Sequence, residues 1–429
     1  MAGEWSDKPL LELCSYINRG SAPAYIEAGG VLVLNQKCVR DQRVSFLEAR
    51  RTDQERKLVI ADRMLQLLDI LVNSTGVGTL GRVAQLVALP EPATVDSHVT
   101  IVRPDPAAVD PRYLGFAVRL YEREIEALAE GSTGQTELSR ARLGAFPVPL
   151  APEKEQRAIA HILGTLDDKI ELNRRMSETL ERQARALFKS WFVDFDPVRA
   201  KAEGRDPGLP QPLADLFPDS FEDSDLGEIP KGWELKPLDE IARFLNGLAL
   251  QKYPPTGERS LPVIKIAQLR AGTTDGADRA SADLEPAYIV QNGDILFSWS
   301  GSLECVLWAA GPGALNQHLF KVTSDKYPKW LCYLGVHHHL EDFRHIAAGK
   351  ATTMGHIQRH HLSDAKLATP SQALLRAIDA VFAPIVESIW RRAVESRTLA
   401  ALRDALLPKL ISGELRVKDA KRFVAEATA

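Results

Sequence analysis

The 429-residue sequence predicts an α+β protein: two similar globular domains separated by two long antiparallel coiled-coil helices, with an internal pseudo-twofold repeat. Three observations carry this reading. The chain repeats itself, in order, at an offset of about 220 residues. The first ~145 residues of each copy hold short apolar runs punctuated by Gly, Asn and Ser, as strands and turns do. The last ~50 of each copy switch to apolar residues at alternating four- and three-residue spacing, the signature of a helical seam.

The repeat comes first, because missing it would misassign every element. WSDKPLLEL (5–13) returns as WELKPLDEI (233–241), and each is followed by Asn and Gly, at Asn18 and Gly20 and at Asn246 and Gly247. DILVNSTG (69–76) matches DILFSWSG (294–301), SHV (97–99) matches QHL (317–319), and PRYL (111–114) matches PKWL (328–331). Further on, RAI at 157–159 matches RAI at 376–378, and the pairs Thr179-Leu180 and Ala186-Leu187 match Thr398-Leu399 and Ala405-Leu406. The offset drifts from 228 down to 217 and then holds at 219, as loop insertions require.

The seam of the first helix is Ile159, Leu163, Leu166, Ile170, Leu180, Leu187 and Trp191; that of the second is Ile378, Phe382, Ile385, Ile389, Leu399, Leu406 and Leu410. Residues 159–191 span ~48 Å at 1.5 Å per residue, longer than one small domain needs. The two helices are therefore expected to pair antiparallel and act as a spacer. Asn173 with Ser177, and Arg392 with Ser396, put polar groups into the seam, which fixes pairing at some cost in stability. Phe188, Phe192 and Phe195 are expected on an exposed face that marks an interface. The resulting division is 1–150, a first globular domain; 151–206, a central helix region; 207–370, a second globular domain opening on an acidic Pro/Gly-rich linker; and 371–429, a C-terminal helix region.

Composition excludes several classes. The chain is 45% apolar and 26% charged, so it has material for real cores and is not a disordered or disulfide-stapled protein. Its net charge of −4 does not announce a nucleic-acid binder, yet eight acids against one base between Glu203 and Glu228 hold −7 of it, leaving the remainder at about +3. Cys14, Cys38, Cys305 and Cys332 form no C-x-x-C pair, which fits a reducing compartment. No signal-peptide pattern and no apolar run of membrane-spanning length is read, so a soluble, cytoplasmic chain is expected.

The sequence resembles the specificity (S) subunit of type I restriction-modification systems along essentially its whole length. The resemblance is carried by LNQKCVR (34–40), DILVNSTGVGTLGRVA (69–84), GSTGQTEL (131–138), PLAPEKEQRAIAHILGTLDDKIELN (149–173), ALFKSWFVDFDPV (186–198) and LLPKLISGELRV (406–417). It implies two target-recognition domains, each reading one half of a bipartite asymmetric site in double-stranded DNA. It also implies helices that set the spacing and dock two methyltransferase (M) subunits, with restriction (R) subunits joining the full complex. It implies no catalysis in this chain; S-adenosylmethionine, ATP and Mg would be bound by the partners, and no cofactor and no metal by this chain. Two alternatives stay open on the residues alone: a single-chain DNA methyltransferase-like enzyme, and a coiled-coil scaffold that does not bind DNA.

Local motifs bear on these. Gly76-Val-Gly-Thr-Leu-Gly81 spells G-x-G-x-x-G, but Pro90 and Pro92 cut short any following helix, so it reads as a polar loop or hairpin rather than a dinucleotide fold. Asp110-Pro-Arg-Tyr113 looks like a methyltransferase tetrapeptide, but its repeat, Tyr327-Pro-Lys-Trp330, lacks the acid, so a turn and helix start is expected. Eight of the ten histidines fall within 318–361, with His356 and His360 four apart; without a further Cys or carboxylate motif a solvated or DNA-facing surface is favoured over zinc. Candidate DNA contacts are loop residues whose groups suit phosphates or base edges. In the first domain they are Gln36, Lys37, Arg40, Ser74, Thr75, Thr79, Arg82, Ser132, Thr133 and Gln135. In the second they are Lys265, Gln268, Arg270, Ser298, Trp299, Ser300, Gln317, His318, Lys350, Thr352, Thr353 and His356.

Overall fold

The computed structural model describes residues 5–131, 136–225, 227–255, 259–349 and 355–418. Two compact units divide the chain: Met1–Lys169 with Leu399–Ala429, and Ile170–Thr398. The boundary falls inside both long helices, Glu153–Phe192 and Gln372–Ile411.

In the first unit, β-branched runs make two four-stranded sheets. One is antiparallel, in the order Cys14–Arg19, Val99–Pro104, Ile70–Asn73, Val83–Gln85. The other runs Ala93–Val95, Val31–Leu34, Arg50–Thr52, Tyr25–Ile26, and its first pair is parallel. Because Val31–Leu34 and Ile70–Asn73 are buried at all four positions, they read as continuous rather than alternating apolar runs. Leu34, Leu71, Leu86, Val95 and Ile101 belong to the core they share. Asp110 caps helix Pro111–Leu120 by accepting from the Tyr113 amide at 2.9 Å, with proline at the first helical position. The tetrapeptide is thus a helix start, as expected.

The second unit repeats the antiparallel sheet strand for strand and three strands of the other sheet, whose fourth strand lies at the opposite edge. Arg243–Asn246, Leu319–Thr323, Ile295–Ser298 and Cys305–Leu307 form one sheet. Arg279–Ser281, Ser260–Ile264, Gly313–Leu315 and Ile289–Val290 form the other, with the same parallel pair, Val263 beside Ala314. The acid before the central strand recurs with a basic partner from a different position: Asp69 accepts from Arg103 at 2.8 Å, and Asp294 pairs with Lys321, two residues earlier on the matching strand, at 2.8 Å. A Cβ on Gly20 would lie 1.9 Å from the Val95 carbonyl oxygen, and one on Gly247 2.3 Å from that of Asn316. Both positions therefore require glycine for the same close approach.

The long helices pack on each other antiparallel. In the first unit Ile159, Leu163 and Leu166 of the first helix and Leu399, Leu406 and Leu410 of the second are buried. There Asp167 bridges Arg119 at 2.8 Å and Arg403 at 2.7 Å. In the second unit Asn173 donates to Glu395 at 2.8 Å, and the rings of Trp191 and Phe382 meet edge-on at 5.5 Å. Seam residues Ile170, Leu180, Leu187 and Ile385 are half-buried, while Ile378 and Ile389 are buried.

Two expectations are corrected here. Phe188, Phe192 and Phe195 are 3%, 2% and 8% exposed, so they are no outward-facing interface. They form one aromatic core with Trp191, Phe217, Trp233, Trp330 and Phe382, because the chain leaves the first helix through a left-handed Phe195 (φ 57°) and folds back on itself. The acidic stretch supplies part of that core. It forms helices Asp196–Ala202 and Gln211–Ala214 and a hairpin, Phe221–Ser224 with Gly227–Pro230.

Candidate nucleic-acid interface

In both units the loop that leaves the central strand meets the turn that enters the neighbouring strand. In the first, Ser74 donates its amide to the His98 carbonyl at 2.8 Å, and Thr75 Oγ1 lies 2.6 Å from His98 Nδ1. The segment after Val31–Leu34 is drawn in by Asn73, whose amide donates to the Gln36 carbonyl at 2.9 Å. A third segment arrives through a bridge between Thr75 and Glu137, reinforced by the Ser74 carbonyl accepting from the Leu138 amide at 2.9 Å. Loops from four parts of the chain thereby share one edge, which is the form a reading surface needs.

The second unit builds the same junction from other side chains. Trp299 donates its amide to the His318 carbonyl at 3.4 Å, and Ser300 Oγ lies 3.0 Å from His318 Nδ1. Ser300 bridges His356, and the Trp299 carbonyl accepts from Ile357 at 3.0 Å. The Trp299 indole donates to Asn246 Oδ1 at 3.0 Å and to the Gln317 carbonyl at 3.1 Å. Asn316 donates its amide to the Ile264 carbonyl at 3.3 Å, which brings Lys265 and Gln268 beside the same turn.

Among the candidate contacts, Lys37, Arg40, Lys265 and Arg270 are exposed, and Gln36, Thr75, Thr79, Arg82, Gln268, Trp299, Gln317, His318 and His356 half-buried. Lys265 is paired with Asp278, and Arg82 donates to the Gly78 carbonyl at 2.7 Å. Ser132, Thr133, Gln135, Lys350, Thr352 and Thr353 lie outside the described residues.

Ser74, Ser298 and Ser300 are corrections. They are 0%, 0% and 3% exposed and spend their hydroxyls inside the fold. Ser74 Oγ meets Thr100 Oγ1 at 2.5 Å, and Ser298 Oγ donates to the Ser302 carbonyl at 2.7 Å while accepting from the Glu304 amide at 2.8 Å. A serine beginning a loop after a buried strand often closes the loop rather than facing its ligand. Gly76–Gly81 is likewise a hairpin connection, since strand Val83–Gln85 follows it antiparallel and no helix does.

Sequence reasoning missed His98, Arg19 and Arg359. Arg19 donates to the Leu138 carbonyl at 2.7 Å and pairs with Glu137 at 2.6 Å, while Arg359 sits over the Phe320 ring. The signal for His98 was present: it is the repeat partner of His318.

A family model described as the type I restriction modification DNA specificity domain matches residues 54–182 and again 230–374. The chain belongs to this family. It is 25% identical over 388 residues to the type I restriction enzyme HindI specificity subunit of Haemophilus influenzae, covering 75% of this chain and 81% of that one. It is 20% identical over 426 residues to the putative MjaX specificity subunit of Methanocaldococcus jannaschii, covering 97% and 94%. A crystal structure of the type I S subunit from M. genitalium has the same fold, with a TM-score of 0.56 at 16% identity over 95% of this chain and 96% of that one.

Electrostatics of this specificity-family chain separate the interface from the histidine cluster. Burial pushes the Asp96 carboxyl above its ordinary range, against the His98 amide it accepts at 2.9 Å. Burial, with the Arg185 guanidinium beside it, holds His337 down to about 3, and burial beside His338 holds His339 down to about 4. His337 packs edge-on against Tyr333 at 4.5 Å, and His339 Nε2 donates to the Lys366 carbonyl at 3.1 Å. These two are packed, neutral residues and not a DNA-facing surface. Among the described residues no cluster of three or more His, Cys, Asp or Glu could hold a metal ion. No described helix is long and apolar enough to cross a membrane.

Proposed function

We propose that this chain works as the DNA-specificity subunit of a type I restriction-modification complex, each unit reading one half of a bipartite, asymmetric site. The supporting observation is one junction built twice with different surroundings. A hydroxyl–imidazole pair recurs at Thr75–His98 and Ser300–His318, while Gln36, Lys37 and Arg40 flank one and Lys265, Gln268 and Arg270 follow the matching strand of the other. Similar frames carrying different donors read different short sequences, since base choice lies in the contacting side chains.

The long helices set the unread gap and dock two methyltransferase subunits, and restriction subunits complete the assembly. Catalysis, with S-adenosylmethionine, ATP and Mg, belongs to those partners, and the complex works in the cytoplasm. The hairpin at Gly76–Gly81 favours this over the methyltransferase-like alternative, because a dinucleotide-type loop must open a helix. Selection of duplexes from a randomised pool by the full chain, co-purified with its methyltransferase subunits, tests the reading. Two unlike blocks separated by an unselected gap are expected; one block, a palindrome or no enrichment contradicts it. The chain freed of other polypeptides is expected to turn over no S-adenosylmethionine on DNA.

A further inference from the structure

We propose that His98 and His318 are equivalent DNA-phosphate contacts, one in each unit, each locked by a hydroxyl partner so that its far ring nitrogen addresses the backbone. This rests on the DNA reading proposed above. Three ties, one to the ring and two to the backbone, hold each histidine. Its Nδ1 is taken by Thr75 or Ser300. Its amide donates to a side chain two residues earlier, Asp96 Oδ1 at 2.9 Å or Asn316 Oδ1 at 3.3 Å. Its carbonyl accepts from the opposite loop, from Ser74 or Trp299. With a hydroxyl donating to Nδ1, the neutral ring carries its proton on Nε2, at the opposite edge. His98 is exposed; His318 is half-buried under Trp299, and Gln317 Nε2 lies 3.5 Å from its Nε2, two donors that can share one outside acceptor but not bond each other.

The chemistry follows from what two diverged readers must share. Base edges differ between half-sites, whereas phosphates are the same everywhere and set register. A contact retained in both units while its neighbours change is therefore suited to phosphate. The competing explanation is that the pair only closes the loop.

Two substitutions separate these, because Asn places its amide oxygen where Nδ1 accepts and Gln places its amide nitrogen where Nε2 donates. The full complex carrying His98→Asn with His318→Asn should keep its melting temperature. It should bind both the selected duplex and an unrelated duplex about tenfold more weakly, with their ratio unchanged. His98→Gln with His318→Gln should stay within about twofold of the parent. Loss in the Gln pair with retention in the Asn pair would overturn the proposal in favour of loop closure. A changed ratio would overturn it in favour of base reading. A parent complex with no sequence preference would instead remove the function on which it rests.

Discussion

Asn173, 1% exposed, donates its amide to Glu395 across 2.8 Å from one long helix to the other, and Arg392 approaches its carbonyl oxygen at 3.4 Å. A buried amide in an otherwise apolar seam favours one register at the expense of stability. Asn173→Leu should raise the unfolding free energy of the second unit by about 1 kcal/mol, since Glu395 can return to water. It should also make a four-residue insertion in one helix less damaging. Thermal melts of both variants check this; a destabilised Asn173→Leu protein would show the amide to be a net stabiliser instead.

Asp167 lies between Arg119 and Arg403 in the first unit. Burial alone would raise its pKa, but the two guanidinium groups outweigh burial and hold it below the usual carboxylate range. A depressed folded-state pKa gives stability that is complete above the unfolded value of about 4 and is lost as pH falls through the folded value. Asp167→Asn should therefore cost about 3 kcal/mol at neutral pH, because Arg119 is left buried and unpaired. The gap between parent and variant should narrow below about pH 4. Denaturation as a function of pH measures both.

Ser298→Ala should lower stability by about 1 kcal/mol, through the Glu304 amide and Ser302 carbonyl it deserts, and leave the selected DNA sequence unchanged. An altered consensus in that variant would restore Ser298 to the reading surface.

Exchanging residues 233–370 for the matching segment of a relative should replace one block of the selected sequence and leave the other block and the gap as they were. Sequencing of selected duplexes gives the answer directly; a change in both blocks would mean that the two units do not read independently.

Much of this architecture was legible because it is written twice. Period and offset located both long helices, and Asp110 with Pro111 marked a helix start by cap chemistry alone. What escaped detection depends on three-dimensional closure. Phe188, Phe192 and Phe195 look like an exposed stripe until a left-handed Phe195 folds the acidic segment over them. The hairpin Val39–Arg40 with Arg43–Val44 turns through Asp41 and Gln42, both at positive φ, without the Asn-Gly that would announce it. Ser74 and Ser298 suit DNA chemically, and only burial shows that their hydroxyls are spent. His98 required no structure: the repeat pairs it with His318.

The claim that the helices are a ruler is tested most directly by lengthening both. Asp167–Arg403 in one unit and Asn173–Glu395 in the other bracket the boundary, so seven residues inserted between Lys169 and Ile170 and between Thr398 and Leu399 leave each unit whole and the seam in phase. One heptad adds ~10.5 Å of helix, about three base pairs at 3.4 Å each. The complex should then select the same two blocks with the gap lengthened by about three base pairs. Altered blocks at an unchanged gap would contradict the account, leaving the helices as packing elements of their own units.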